Sequence, residues 1–196
     1  WEIGDYASAM REQERAISIS RDKAKAFGEN PDDNTRLLWP VAGYINLAYL
    51  LLRAGKMAEA ESLYNKCLTY YQTNYPDSPF VSDCYEGLMA VAANNSDSNS
   101  VKQYCLDMYE HSFGVYSRNS IGMTKAQRAD YWRKLRLDGM QNIVAQTALD
   151  LGNMNSECYD MLLKQKSFLL TQQRMITSNV TSSSDESLKA AYRLFK

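Results

Sequence analysis

Residues 44–67 read YINLAYLLLRAGKMAEAESLYNKC and contain the clearest structural pattern of this chain. Apolar side chains recur every three or four residues on both sides of Gly55, which is the pattern of two amphipathic helices joined by a short turn. The small residues Ala48 and Ala60 allow the two helices to approach closely, and the larger apolar side chains fill the groove between them. The stretch therefore predicts an antiparallel helical hairpin.

A second copy of this pattern follows at a constant spacing of 41 residues, without a gap. The copy aligns Tyr44, Leu47, Ala48, Leu51, Ala60, Tyr64 and Cys67 with Tyr85, Leu88, Met89, Ala92, Val101, Cys105 and Met108. A partial copy at the start matches Gly4, Tyr6, Ala9 and Ala16 to Gly55, Met57, Ala60 and Cys67, at a spacing of 51 residues. Such self-similarity is typical of a solenoid, and we expect the chain to begin inside a repeat.

Helical periodicity continues along the rest of the chain, and turn residues separate its segments. The predicted helices cover about 5–27, 35–54, 57–75, 79–94, 99–116, 124–150 and 153–176, and a last helix follows Asp185. Thr124, with Gln127 three residues later, predicts a capping box at the start of the sixth helix. We therefore expect an all-α fold of about eight helices in antiparallel pairs that form an α-α superhelix, ending in a less regular helical segment.

The composition narrows the functional classes. The 196 residues include only 9 Gly and 4 Pro, as expected of a helical protein. Lys and Arg number 22 against 23 Asp and Glu, so the formal charge of −1 lacks the basic excess of a dedicated nucleic-acid-binding protein. The longest apolar run, residues 47–52, is far shorter than the ~20 residues that span a bilayer. We expect no membrane contact and a cytoplasmic location.

No catalytic centre is visible in the sequence. The positions of the nine glycines allow neither a GxGxxG nor a GxxxxGK phosphate loop. Cys67, Cys84, Cys105 and Cys158 form no CxxC pair, so we interpret them as free thiols, most of them buried. His111 follows Cys105 by six residues, which places the two on different faces of one predicted helix. We therefore expect no enzymatic activity, no cofactor and no metal site.

The hairpin of residues 44–67 resembles the tetratricopeptide repeat. It has that repeat's order of an aromatic residue, Leu-Ala, Leu, Gly-Lys-Met, Ala, Tyr and a small residue. The resemblance implies a stack of helix pairs in which the first helix of each pair lines a concave surface that meets a protein or peptide partner.

A second resemblance covers residues 123–196. The segments QRADYW (127–132), LKQKSFLL (163–170) with Ile176, and DESL (185–188) with Tyr192 resemble the helical region before the caspase-like CHAT domain of bacterial tetratricopeptide-repeat proteins. The usual pattern has a glycine where this chain has Ser167.

The two resemblances together imply the domain organisation. Residues 1–122 are expected to form tetratricopeptide-like repeats, with the first repeat truncated, and residues 123–196 the helical segment that precedes a CHAT domain. The chain would then be a fragment of a longer protein, with the peptidase His/Cys dyad beyond Lys196 and an intramolecular contact to that domain. Its function would be a non-catalytic protein–protein interaction and regulatory scaffold.

Candidate partner-binding residues follow from the hairpin geometry. The positions of the second predicted helix that packing does not need are Ile45, Tyr49, Leu52 and Arg53. The 41-residue spacing carries them to Glu86, Ala90, Ala93 and Asn94 in the next repeat. We predict that Tyr49, Arg53, Glu86 and Asn94 form the walls of the partner-binding groove.

One alternative stays open. A basic cluster interleaved with Tyr131 and Trp132 is the kind of pattern that holds nucleic acid. Its charged members are Lys125, Arg128, Arg133, Lys134 and Arg136. On this alternative the chain is an autonomous adaptor that binds nucleic acid or another ligand near Trp132. A solvated helix face that carries two core aromatic residues explains the same pattern, and the balanced net charge favours that interpretation.

Overall fold

The computed structural model describes residues 5–26 and 38–195, and within these residues the secondary structure is entirely helical. Nine helices lie in this part of the chain. They are α1 (Tyr6–Ala26), α2 (Leu38–Arg53), α3 (Met57–Asn74), α4 (Pro79–Asn94), α5 (Ser98–Asn119), α6 (Lys125–Lys134), α7 (Leu137–Leu151), α8 (Asn155–Ser182) and α9 (Glu186–Phe195).

The helices pack on their neighbours in sequence. From α1 to α5 each helix contacts the next one, and α2 also contacts α4. Helices α2 and α3 form one antiparallel pair, and α4 and α5 form the next, while α1 contacts α2 as α3 contacts α4. This arrangement confirms the predicted all-α fold of stacked helix pairs.

The core consists of the positions that the repeat pattern selects. Ala48 and Ala60 are fully buried, which lets α2 and α3 lie close together, and Tyr64 is 2% exposed. In the second pair, Cys105, which aligns with Tyr64, is buried, whereas Met89 and Val101, which align with Ala48 and Ala60, are half-buried. In α1, Ala9 is buried like Ala60. The partial N-terminal copy of the repeat is only partly reproduced in the structure, because Ala16 is exposed and its neighbour Ile17 takes the buried position. Gly4 lies outside the described residues.

The turn within each pair repeats the 41-residue spacing in its backbone. Gly55 and Ser96 both adopt left-handed conformations, with φ of 78° and 58°. Each donates its N–H to the carbonyl three residues earlier at 3.1 Å, and each following residue donates to the carbonyl five residues earlier at 2.9 Å. These two bonds define a Schellman motif, in which glycine is preferred at the left-handed position. Ser96 therefore occupies a glycine position.

Substitution of the left-handed residue should change the stability of the protein in opposite directions at the two turns. Gly55→Ala should lower the free energy of unfolding by about 1 kcal/mol, because a side chain is disfavoured in the left-handed region. A Cβ at this glycine meets nothing within 4 Å, so the loss would arise in the backbone alone. Ser96→Gly should raise the free energy by up to about 1 kcal/mol. Urea denaturation measures both, and changes of the same sign would contradict the shared turn geometry.

The predicted helix 124–150 was wrong as a single helix, because the chain forms α6 and α7 there. The capping box at Thr124 is confirmed, with Gln127 N–H donating to its hydroxyl at 3.2 Å and the Gln127 side chain accepting from its N–H at 2.8 Å. Helix α6 then ends at Lys134, with Leu135 as its C-cap, and Arg136 turns the chain with φ of 56°. This turn places Leu137 in the core with no exposed surface. Burial of Leu137 outweighs the strain, which is about 1–2 kcal/mol for a non-glycine residue.

The C-terminal helices are less regular, as expected. Helix α7 packs on α5, and Gly152, with φ of 67°, ends α7 before α8 begins. Helix α8 extends to Ser182, six residues beyond its predicted end. The turn at Gly152 comes 56 residues after the turn at Ser96, rather than 41, because α6 lies between α5 and α7. The first residues of the helix predicted at 35–54, up to residue 37, lie outside the described residues.

Candidate partner-binding surface

Two of the four predicted site residues lie together on α2. Tyr49 is 52% exposed, and Arg53, one helical turn later, is also exposed. Arg53 directs Nε and Nη2 at the hydroxyl oxygen of Tyr6, at 3.3 and 3.2 Å, and its guanidinium carbon lies 5.8 Å from the centre of that ring. The pair joins α1 to α2 across 47 residues of sequence.

The surroundings of Arg53 leave its charge available. The hydrogen bonds that Arg53 donates to Tyr6, followed by the electrostatic effects of Tyr6 and Tyr49, raise the pKa of Arg53 above its usual value. No carboxylate among the described residues forms an ion pair with it. An exposed guanidinium positioned by the Tyr6 hydroxyl suits an anionic group, since its donors form a planar fork that matches a carboxylate.

Glu86, the third predicted residue, lies in an acidic group on α4. One carboxylate oxygen of Glu86 is 3.8 Å from Arg136, and an oxygen of Asp83 is 3.5 Å from the same guanidinium. The side chains are 65% exposed for Arg136, 43% for Glu86 and 37% for Asp83, so solvent weakens both pairs. Burial raises the pKa of Asp83, although Arg136 opposes the shift.

Tyr64 connects the two parts of this surface. It is buried, and its ring lies directly over Gly87 of α4. Its hydroxyl interacts electrostatically with both Glu86 and Tyr49, and burial is the main cause of its raised pKa. We name the α2–α4 surface after these helices and define it as Tyr6, Tyr49, Arg53, Asp83, Glu86 and Arg136.

Asn94 is not brought into this surface by a contact. Its side-chain amide donates to the carbonyl of Ala90 on its own helix at 2.8 Å. Sequence reasoning missed Tyr6, Asp83 and the place of Arg136. Asp83 could have been predicted from the sequence, because it lies three residues before Glu86 and residues at that spacing share a helix face. Tyr6 meets Arg53 only through the packing of α1 on α2, for which the sequence carries no local signal.

The basic aromatic cluster takes part in packing within the protein. The Tyr131 ring stacks on Tyr116 at 6.0 Å, and Trp132 meets the same ring edge-on at 4.9 Å. Arg133 and Lys134 both pair with Asp130 on their own helix. Tyr131 and Trp132 are half-buried against α5 rather than displayed as stacking platforms for bases.

His111 is part of a buried polar chain. Its Nε2 lies 2.7 Å from the carbonyl of Pro76, and its Nδ1 lies 3.0 Å from the Ser82 hydroxyl, which is 2.6 Å from that of Ser112. Because a carbonyl only accepts, Nε2 of the neutral ring donates to Pro76 and Nδ1 accepts from Ser82. Ser82 and Ser112 are 3% exposed. This series of hydrogen bonds links α4 and α5 to the turn before α4.

The burial of His111 should make the stability of the protein depend on pH. Burial lowers the pKa of His111 below 6.5; the Pro76 hydrogen bond and Asp77 oppose the shift, and Arg118 adds to it. As pH falls through 6.5, the unfolded chain takes up a proton that the folded chain resists, so stability decreases. His111→Gln should remove this part of the decrease between about pH 7.5 and pH 5. Urea denaturation measures the slope, and equal slopes in the two proteins would contradict the assignment.

The cysteines are free thiols, and Cys67, Cys84 and Cys105 are buried. Burial raises the pKa of Cys67 to about 12, which leaves its thiol protonated and unreactive at neutral pH. Across residues 5–26 and 38–195, no cluster of three His, Cys, Asp or Glu side chains could hold a metal ion. None of the helices in these ranges combines the length and apolar character needed to cross a membrane.

Comparison with known proteins identifies one part of the chain. Residues 41–74, from the first turn of α2 to the end of α3, match the family model of the tetratricopeptide repeat. No curated protein and no solved structure matches the chain. The helix pair that carries Tyr49 and Arg53 is therefore similar to a tetratricopeptide repeat, the kind of helical repeat from which protein-interaction scaffolds are built.

Proposed function

We propose that this chain is a non-catalytic scaffold that binds a protein or peptide partner through the α2–α4 surface. Tyr49 and Arg53 meet the partner at one end and Glu86 at the other, with Asn94 at the edge. Adjacent packed helices lie about 8–10 Å apart, which three residues of an extended peptide span. Because the Arg53 guanidinium is exposed and pairs with no carboxylate among the described residues, the partner presents a carboxylate to it.

The observation that carries the proposal is the state of Arg53. Its guanidinium is exposed, it is positioned by Tyr6 and flanked by Tyr49, and it lacks a carboxylate partner within the described residues. Arginine and tyrosine are among the residue types that most often supply binding energy at protein interfaces. The tetratricopeptide match of α2 and α3 supports the same function.

Binding of selected peptides tests this function. Peptides from a random displayed library are selected on the full chain, and their affinities are measured by fluorescence anisotropy. We expect carboxylate-containing peptides to be enriched. Arg53→Glu and Tyr49→Ala should each weaken their binding about tenfold, the size of an interface hot spot. Arg15→Glu is the matched control, because Arg15 is exposed on α1 outside this surface. Unchanged affinity in both site variants would refute the proposal.

We further propose a regulatory setting for this scaffold. Residues 1–122 act as the repeat part and residues 123–196 as the segment next to a caspase-like CHAT domain in a bacterial protein. The order of residues in 127–132, 163–170 and 185–188 supports this setting. The coding sequence after Lys196, translated in frame, tests it. A caspase-like α/β pattern with a His and a Cys is expected there, and a stop codon would refute the setting while leaving the binding function intact.

A further inference from the structure

The outer face of α8 exposes a row of large apolar side chains. Tyr159 is 62% exposed, Leu162 58%, Leu163 46% and Leu170 52%. The opposite face of the same helix is packed: Met161 is 7% exposed, and the Phe168 ring meets Phe113 of α5 at 5.6 Å. Helix α8 is therefore apolar on two sides, and the described residues cover only one of them along this length.

The exposed residues form a continuous stripe. Positions 159, 162, 163, 166 and 170 follow the spacing of one helix face and extend for about 16 Å at 1.5 Å per residue. Single exposed leucines are ordinary on protein surfaces, whereas a contiguous apolar stripe marks an interaction site. We name Tyr159, Leu162, Leu163, Lys166 and Leu170 the α8 stripe.

The fold already uses the continuation of this face to pack a helix. Thr177 lies 18 residues, or five turns, after Tyr159 and so points in the same direction. Its hydroxyl lies 2.7 Å from the hydroxyl of Tyr192 on α9. Asp185 caps α9 after a short turn, accepting from the N–H groups of Ser187 and Leu188 at 2.9 and 3.1 Å. Helix α9 therefore runs antiparallel to α8 over the C-terminal part of the face that the stripe continues.

The charges of this face are positive. Lys166 lies within the stripe and Arg174 follows two turns later, and both are exposed. Neither forms an ion pair with a described residue, whereas Lys164, on the side of α8 towards α5, pairs with Glu110 at 2.5 Å. A helix lying on the stripe would complement it with carboxylates opposite Lys166 and Arg174.

We propose that the α8 stripe binds an amphipathic helix of a protein partner, antiparallel to α8 and in line with α9, with acidic residues facing Lys166 and Arg174. This second surface is separate from the α2–α4 surface and does not depend on the function proposed there. The apolar residues of the partner helix recur at i, i+3, i+4 and i+7, as in other helix-in-groove complexes.

Synthetic helices test the proposal on the full chain. The probe is a fluorescein-labelled amphipathic peptide of about 18 residues, with Leu at i, i+3, i+4 and i+7 and Glu at the flanking positions. A second peptide carries Lys in place of each Glu. We expect the Glu peptide to bind at least tenfold more tightly than the Lys peptide. Leu163→Asp should weaken binding of the Glu peptide about tenfold, and Lys166→Glu should invert the preference between the peptides.

The control variant is Leu149→Asp, because Leu149 is 76% exposed on α7 and lies outside the stripe. It should leave both affinities unchanged. Equal weakening by Leu149→Asp, or equal affinity for the two peptides, would overturn the proposal. Sedimentation equilibrium tests whether the protein dimerises through the stripe. A dimer that dissociates in Leu163→Asp would show that a second copy of this chain covers the stripe, which also overturns it. If Leu163→Asp does not fold, the Lys166→Glu inversion decides alone.

Discussion

Gly87→Ala is expected to lower the free energy of unfolding by about 3 kcal/mol, at the upper end of the cost of overpacking a core. A Cβ at position 87 would lie 2.2 Å from Cζ of Tyr64 and 2.4 and 2.6 Å from the two neighbouring ring carbons. Tyr64 is 2% exposed, so its ring cannot swing into solvent. The only relief is a separation of α3 from α4, which would open the joint between the two helix pairs.

Urea denaturation with a double-mutant cycle measures this effect. Tyr64→Leu shortens the side chain that meets the new Cβ. The double variant should therefore lose much less stability than the sum of the losses in the two single variants. Gly139→Ala is the control, since a Cβ there meets nothing within 4 Å in α7. It should raise stability by about 0.5–1 kcal/mol through helix propensity. If Gly87→Ala changed the free energy of unfolding only slightly, α3 and α4 would not be packed as described.

Tyr116→Ala is expected to cost about 3–5 kcal/mol, the usual range for removing a large buried aromatic ring. The Tyr116 side chain on α5 is 2% exposed and joins three helices. Its ring meets Tyr131 and Trp132 of α6 at 6.0 and 4.9 Å, and Phe168 of α8 at 6.0 Å. The loss should therefore fall mainly on the segment after α5.

Limited proteolysis distinguishes this local effect from general unfolding. In Tyr116→Ala, cleavage between residues 120 and 196 should precede cleavage in α2 to α4, because locally weakened segments open first. Tyr116→Phe keeps the ring and should change stability by less than about 1 kcal/mol. Tyr159→Ala, on an exposed tyrosine, should change it by less than about 0.5 kcal/mol. Simultaneous cleavage along the whole chain would contradict the role assigned to Tyr116.

The sequence predicted the repeat part well, because a solenoid needs mainly local information. Each helix contacts its neighbours in sequence, so apolar periodicity and the Gly55 turn signal were sufficient for α2 to α5. The break at Arg136 was missed, since no glycine or proline marks it. A non-glycine residue takes the left-handed conformation there because Leu137 becomes buried, and that gain exists only once α7 is packed on α5.

The predicted site residues divide in the same way. Tyr49 and Arg53 share a face of α2, as the helical period requires. The contacts of that face come from elsewhere: Tyr6 is 47 residues from Arg53, and Arg136 is 50 residues from Glu86. Asn94, predicted by the same spacing, instead bonds to its own helix at Ala90. Spacing predicts which face a residue occupies, but it cannot predict which distant side chain the stacking of helices brings to it.

The helical pairs, their 41-residue repeat and the similarity of residues 41–74 to a tetratricopeptide repeat can be predicted from the sequence, since they depend on periodicity within and between adjacent helices. Three other features depend on how the helices pack. They are the contact of Arg53 with Tyr6, the enclosure of the aromatic cluster around Tyr116, and the exposure of the α8 stripe among the described residues. The physical reason is that an apolar or charged residue of a helix reads the same in sequence whether another helix covers it or water does.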